Sequence, residues 1–85
     1  MIYTRKEMKN ELKRSCLGVL QEYLQEVGFN NEEAILFKER YINERSVPII
    51  CLIIHCGTNK FNYVHNRILD KCISYHNRIF KIDYE

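Results

Sequence analysis

The chain has 85 residues, of which 46% are hydrophobic and 28% are charged, and a formal charge of +2. This size allows one domain with a single small core and excludes a cofactor-binding domain beside a catalytic one. The composition excludes a disordered chain, and the net charge is too small to indicate nucleic-acid binding by itself.

The cysteine content and the apolar runs indicate where such a chain would reside. Four cysteines would indicate disulfides in a secreted protein, but residues 1–14 are mostly polar and charged, unlike a signal peptide. We therefore expect reduced thiols and a cytoplasmic location. The longest apolar run, Val47 to Ile54, is far shorter than the roughly 20 residues that span a bilayer, so we expect no membrane partner.

The first predicted element is an amphipathic helix over residues 4–27. Thr4 and Glu7 have the spacing of a capping box, and Gly28 marks the end of the helix. Apolar residues recur at helical spacing between these signals, namely Met8, Leu12, Cys16, Val19, Leu20, Tyr23, Leu24 and Val27. We expect this helix to pack across the helices that follow.

A second helix is predicted over residues 31–43. Asn30 is its expected N-cap, and Glu33 stands at the position that can reach back to the cap. This helix would bury Ala34, Phe37, Tyr41 and either Ile42 or Ile35. A strand from Ile35 to Ile42 is the alternative, but the cap favours the helix.

The central stretch, residues 46–76, predicts a helix-turn-helix. Ser46 can serve as the N-cap of its first helix, Pro48 falls in the first turn, and Gly57 stands where the chain must turn. Thr58 or Asn59 can cap a second helix, whose apolar residues recur at three- and four-residue steps: Phe61, Val64, Ile68, Leu69 and Cys72. The sequence therefore predicts a small all-α domain of three to four helices.

Two features leave alternatives open. The run Val47–Ile54 is rich in β-branched residues, so an α+β fold with this run as a buried strand is the alternative architecture. Residues 79–85 alternate apolar and polar side chains, which predicts a C-terminal tail that is extended or forms a short strand.

The sequence His65-Asn66-Arg67-Ile68 recurs 11 residues later at 76–79, and a continuous helix would align the two copies on one side.

The order of these residues resembles a known motif. The spacing of Ile50, Cys51, Ile54, the turn at 55–57, Phe61 and the run 67–71 is similar to the helix-turn-helix of bacterial sigma-factor region four. It also resembles ArpU-type late-transcription regulators of phages of low-GC Gram-positive bacteria, in which a helix like residues 33–43 precedes the motif. The resemblance covers residues 33–72 and implies a transcription regulator that binds DNA or works with RNA polymerase.

In a helix-turn-helix, the start of the second helix enters the major groove. Here we expect a recognition helix over residues 58–71, with these candidate DNA-binding residues: Thr58, Asn59, Lys60, Asn62, Tyr63, Asn66, Arg67 and Lys71. The asparagines could pair with adenine, Arg67 could read guanine or hold a phosphate, and Lys60 and Lys71 would be backbone anchors. We expect a homodimer, because one recognition helix gives limited affinity. The alternative is that these are ordinary solvent-exposed residues.

Charge is distributed unevenly along the chain. Four basic residues accompany a lone acid, Asp70, over residues 59–78, namely Lys60, Arg67, Lys71 and Arg78. Acidic residues dominate residues 22–44, namely Glu22, Glu26, Glu32, Glu33, Glu39 and Glu44. We expect a basic helix that faces phosphate and an acidic surface that is turned away from it.

An apolar outer face marks the first helix of the motif. Ile49, Leu52 and Ile53 lie where sigma-like helices usually show polar residues. We expect the N-terminal helix or a partner subunit to cover this face, or the face to bind another protein. The alternative function is therefore that of a phage or mobile-element protein that inhibits or redirects a host protein.

Metal binding and catalysis are the remaining classes of function. Histidines and cysteines flank the turn, so a zinc-binding Cys/His set is geometrically possible among Cys51, His55, Cys56, His65, Cys72 and His76. The cysteines occupy positions that the apolar pattern predicts to be buried, and we expect neither a metal nor a cofactor. Since the sequence shows no phosphate-binding loop and no acid/base carboxylate pair, we expect a non-enzyme.

Overall fold

The computed structural model describes the backbone of residues 1–84 and the side chains of residues 1–79. The helices are α1 (Arg5–Arg14), α2 (Leu17–Glu26), α3 (Asn31–Phe37) with a π-helical extension (Lys38–Ile42), α4 (Val47–Ile53) and α5 (Thr58–Tyr84). No strand occurs over residues 1–84, which confirms the all-α class. Both strand alternatives, over Val47–Ile54 and from Ile35 to Ile42, are wrong, because both stretches are helical.

Two capping boxes start helices at the predicted positions. Thr4 Oγ1 accepts the Glu7 N–H over 3.1 Å, and Glu7 Oε1 accepts the Thr4 N–H over 3.0 Å. Asn30 and Glu33 repeat this exchange at the start of α3, over 2.8 and 3.0 Å. Each box satisfies backbone donors that the first turn of a helix leaves without partners, so these starts are encoded locally.

The single helix predicted over residues 4–27 is wrong, because the chain breaks it into α1 and α2. Ser15 has an extended backbone (ψ 143°), and its hydroxyl donates to the Glu11 carbonyl over 2.7 Å. Serine favours such breaks because its side chain competes for backbone hydrogen bonds. The break shifts the helical phase, so that Cys16 and Val19, predicted on the buried face, are exposed.

The helix predicted over 31–43 is confirmed as far as Ile42, but its second half is wider than an α-helix. The Asn43 N–H donates to the Lys38 carbonyl, five residues back, over 2.9 Å. This π-helical spacing changes which residues face inward. Phe37 and Tyr41 are both buried, with ring centroids 5.4 Å apart.

The turn between α4 and α5 lies at residues 55–57, as predicted, but His55 takes the left-handed conformation there. The chain leaves α4 at His55 (φ +54°), two residues before Gly57, and the Cys56 N–H donates to the Cys51 carbonyl over 3.0 Å. This is the Schellman arrangement that commonly ends helices. The Gly57 carbonyl then accepts the Phe61 N–H over 3.0 Å, so Gly57, and not the predicted Thr58 or Asn59, is the N-cap of α5.

Helix α5 is the axis of the molecule, and α1, α3 and α4 pack against it. Its 27 residues span roughly 40 Å at about 1.5 Å per residue. The predicted extended tail or strand over 79–85 is wrong as far as Tyr84, where the backbone is helical, and residue 85 lies outside the described residues. The five apolar residues predicted to recur on the second helix of the motif are all buried: Phe61, Val64, Ile68, Leu69 and Cys72.

Contacts at the N-terminal end of α1 fix its direction against α5. The Ile2 N–H donates to Asn77 Oδ1 over 2.9 Å, and Asn77 Nδ2 donates to the Ile2 carbonyl over 2.8 Å. Three residues further along the chain, Arg5, the first residue of α1, makes two hydrogen bonds of 2.9 Å to the Asp70 carboxylate, seven residues before Asn77. The two helices therefore run antiparallel, which brings the second half of α1 toward the first half of α5.

Candidate nucleic-acid interface

The predicted DNA-binding residues all lie in the first half of α5, but they form two rows. Helical spacing places Asn59, Tyr63 and Asn66 on one face and the three basic residues on the flank beside it. The side chains are exposed except for Asn66 and Lys71, which are half-buried. The exposed members therefore share a surface that is directly adjacent to the turn after α4.

The basic flank of α5 faces acidic residues. Lys60 Nζ lies 3.1 Å from Glu32 Oε2, Arg67 Nε lies 3.4 Å from Glu33 Oε2, and Lys71 Nζ lies 2.6 Å from Glu33 Oε1. The expectation that the acidic residues turn away from this helix is thus wrong for Glu32 and Glu33. Both belong to the first turn of α3, which packs beside α5, and opposite charges on packed helices attract.

Glu33 is the buried centre of this charge cluster, with 1% of its side chain exposed. Burial by itself raises the pKa of a carboxyl group, but the hydrogen bonds from Lys71 and from the Asn30 backbone and the charges of Lys71 and Arg67 outweigh it. The pKa of Glu33 therefore lies below its ordinary value, and the group is ionised at neutral pH. Its Oε2 atom receives no hydrogen bond from the described residues and depends on the charge of Arg67.

The three basic residues differ in how firmly they are held. Lys60 and Arg67 keep about half of their side chains exposed, whereas Lys71 is more buried against Glu33. Arg67 also donates to Tyr63 Oη over 3.3 Å and lies over its ring at 5.8 Å. Exposed ion pairs contribute little free energy, about 0–1 kcal/mol, so Lys60 can exchange the Glu32 carboxylate for a phosphate at small cost.

A second group of basic residues near α5 was missed by the sequence analysis. The positive charges of Lys9, Lys13 and Arg40 all act on the buried His65. Burial first, and then these charges, lower the pKa of His65 to about 4, so the ring is neutral at pH 7. The four-residue spacing of Lys9 and Lys13 is visible in the sequence, but only the antiparallel packing of α1 reveals that they lie near α5.

The neutral His65 ring belongs to a buried hydrogen bond. Tyr41 Oη and His65 Nε2 are 2.6 Å apart, and burial raises the pKa of Tyr41 well above its usual range. Tyr41 therefore keeps its proton and shares one hydrogen bond with the neutral imidazole, and the tautomer of the ring decides which of the two groups donates. His76, at the same place in the second copy of the repeated sequence, has its Nδ1 3.0 Å from Tyr23 Oη.

The candidate partner-binding residues on α4 are exposed in the single chain. Leu52 is 71% exposed, and Ile49 and Ile53 are each 42% exposed, whereas Ile50 between them is fully buried. The expectation that the N-terminal helix covers this face is therefore wrong. The three aliphatic side chains form one apolar patch at helical spacing, which we call the α4 patch.

The residues of the possible zinc set are dispersed. His65 and His76 are engaged by tyrosines, and burial raises the pKa of the Cys72 thiol to about 12. Over the described side chains, no group of three or more histidine, cysteine, aspartate and glutamate residues could hold a metal ion. Cys51 and Cys56 lie together at the end of α4, apart from the buried Cys72.

In comparisons with known proteins, no family model, no curated protein and no solved structure matches this chain. The resemblance to sigma-factor region four and to ArpU-type regulators therefore stays a prediction. None of the helices in residues 1–84 combines the length and the apolarity that crossing a membrane requires.

Proposed function

We propose that this protein is a small DNA-binding transcription regulator that reads DNA with the first half of α5. The observation that carries the proposal is the exposed polar surface that directly follows the turn after α4, with Thr58, Asn59 and Asn62 in its first two turns. Asparagine side chains there suit adenine edges in the major groove, and Tyr63 and Arg67 extend the surface by one turn.

Phosphate contacts would come from two elements on either side of this surface. Lys60 has an exposed head group whose ion pair with Glu32 is weak enough to exchange, and Arg67 keeps about half of its side chain exposed beside Glu33. Lys9 and Lys13 of α1 add positive charge near His65, and within residues 1–79 neither forms an ion pair of its own. Charges from two helices would position the duplex, whereas the asparagines would specify its sequence.

The regulator would act in the cytoplasm of a low-GC bacterium, or of such a bacterium infected by a phage. We expect a homodimer on two half-sites, since the basic surface of one chain is small. RNA polymerase is the further partner that the resemblance implies. The function does not require a cofactor, because base and phosphate contacts suffice for DNA recognition.

Fluorescence anisotropy with a labelled DNA duplex at several salt concentrations tests the proposal. The double variant Lys60→Ala/Arg67→Ala should bind several-fold more weakly, and each lost phosphate contact should reduce the slope of log affinity against log salt by about 1. Lys38→Ala, which removes an exposed lysine outside the candidate surface, is the control. Equal affinity and equal salt slope in all three proteins would refute the proposed interface.

The second candidate function is the binding and inhibition or redirection of a host protein through the α4 patch. The exposure of Ile49, Leu52 and Ile53 favours it, because a contiguous apolar patch commonly marks a protein interaction site. A pull-down from host lysate with the wild-type chain and with Leu52→Lys, run beside the DNA titration, separates the two functions. A specific partner lost in Leu52→Lys, together with no DNA binding at low salt, would establish the second.

A further inference from the structure

The C-terminal end of α4 brings two cysteines together. In a Schellman arrangement the residue three positions before the C-cap and the second residue beyond the C-cap commonly touch through their side chains. Here these residues are Cys51 and Cys56, whose backbones share the 3.0 Å hydrogen bond, with His55 left-handed between them. Both cysteines are half-buried, so the pair is partly accessible from solvent.

We propose that Cys51 and Cys56 form a dithiol site that exchanges with small-molecule disulfides and closes into an internal disulfide. The two side chains suit this bond, because the thiols of Cys51 and Cys56 are hydrogen-bonded to each other, and a disulfide forms only where two cysteine side chains approach closely. Cys16 lies at the start of α2 and Cys72 is fully buried in the core.

The reaction with glutathione disulfide balances in two exchange steps. The thiolate of one cysteine attacks a sulfur of glutathione disulfide, forms a mixed disulfide and releases one glutathione thiolate. The thiolate of the second cysteine then attacks the protein sulfur, forms the Cys51–Cys56 bond and releases the second glutathione. Two protein thiols are oxidised, glutathione disulfide is reduced by two electrons, and the two thiol protons pass to the two glutathiones.

The local environment sets the pH dependence of this exchange. Burial has the largest effect on the pKa of Cys56 and raises it, and the neighbouring Cys51 thiol raises it further. The positive charge of Lys60 lowers this pKa by a smaller amount. Only the thiolate attacks a disulfide, so a thiol with a raised pKa reacts slowly at neutral pH. We therefore expect the disulfide to close faster as the pH rises through and above the ordinary pKa of a cysteine thiol.

The disulfide would tie the last turn of α4 to Cys56, which lies in the turn between α4 and α5. The bond would hold His55 in its left-handed conformation, which a non-glycine residue adopts at some cost. Since the closed loop is short, the gain in stability is smaller than for a disulfide between distant residues. The inference concerns the thiols alone and does not depend on DNA binding.

Mass spectrometry of tryptic peptides from the full chain tests the proposal directly. The folded protein is incubated with glutathione disulfide, blocked with N-ethylmaleimide and digested with trypsin, which places both cysteines in the peptide 46–60 and the other two in 15–38 and 72–78. Peptide 46–60 should be lighter than its reduced form by about 2 Da and take up no N-ethylmaleimide. The amount of peptide with the internal disulfide should exceed the amount with one bound glutathione by more than about tenfold, because the second thiol is held near the first.

Two variants make the outcome decisive. Cys56→Ser should retain one glutathione on Cys51 instead of closing, and Cys16→Ser should close as the wild type does. The proposal is overturned if peptide 46–60 takes up two N-ethylmaleimide groups under conditions in which the exposed Cys16 already carries glutathione. It is also overturned if the disulfide that forms links two chains rather than two residues of one.

Discussion

Lys71 donates to the buried carboxylate of Glu33 over 2.6 Å and thereby ties the middle of α5 to the first turn of α3. The same Oε1 atom of Glu33 accepts the Asn30 N–H and closes the capping box that starts α3. One side chain therefore both begins a helix and fixes its place against another. Lys71 was predicted as a DNA contact, but its ammonium group is engaged with this carboxylate.

We expect Glu33→Gln to destabilise the fold by about 1–3 kcal/mol at neutral pH, because it removes a buried charge that Lys71 and Arg67 require. Glutamine keeps an oxygen that can accept the Asn30 N–H. The loss of stability therefore measures the contribution of the Glu33 charge and not that of the helix cap. Urea denaturation monitored by circular dichroism measures the effect. Glu32→Gln, at the adjacent, more exposed carboxylate, should change stability by less than about 0.5 kcal/mol, and equal losses in the two variants would contradict the assignment.

The stability of the protein should fall as the pH decreases from about 6.5 toward 4. The pKa of His65 is lowered to about 4 in the folded chain, whereas an unfolded histidine takes up its proton near pH 6.5. Below pH 6.5 the unfolded state therefore binds more protons than the folded state, which costs up to about 3 kcal/mol by pH 4. Below about pH 5, the unfolded state also takes up a proton at Glu33 before the folded state does, because the folded pKa of Glu33 is lowered, and this adds to the effect.

Urea denaturation of the wild type and of His65→Gln at several pH values between 7 and 4 checks this expectation. The variant has no imidazole at residue 65 and should show a flatter dependence of the unfolding free energy on pH. Glutamine can still hydrogen-bond to Tyr41, which limits the structural change. An equally steep dependence in both proteins would show that His65 does not titrate as its burial requires.

If α5 contacts DNA, Glu32→Gln should raise the affinity by about two- to fivefold at low salt, because it frees Lys60 from an exposed ion pair. Glu26→Gln, on the exposed surface of α2, changes the net charge equally and serves as the control. Anisotropy titrations of the two variants compare the effect of releasing Lys60 on DNA affinity with the effect of the change in net charge. If both variants bind alike, net charge and not the Glu32–Lys60 pair governs the affinity.

Leu52→Lys should leave the stability of the single chain within about 0.5 kcal/mol of the wild type, because the side chain it replaces is 71% exposed. If the α4 patch joins two copies, the same change should convert a dimer into a monomer in multi-angle light scattering. Ile50→Ala, two residues away and facing the core, should cost about 2–5 kcal/mol. A dimer that persists in Leu52→Lys would remove the patch from the dimer interface.

Local sequence signals predicted most of the helical architecture. The capping boxes at Thr4 and Asn30, Pro48 in the first turn of α4 and the apolar spacing of α5 all appear in the structure where the sequence indicated them. The candidate DNA-binding residues also fall, as predicted, in the first half of one helix. These features depend on residues three or four positions apart, which the chain brings together whenever it forms a helix.

The tertiary structure alone decided the surroundings of those residues. The break at Ser15 exposes part of the predicted apolar face, Glu32 and Glu33 meet the basic flank of α5, and Lys9 and Lys13 come near His65. Each of these relationships joins residues of different helices or depends on how one helix is oriented against another. Such contacts are selected by long-range packing, for which periodicity and capping carry no information.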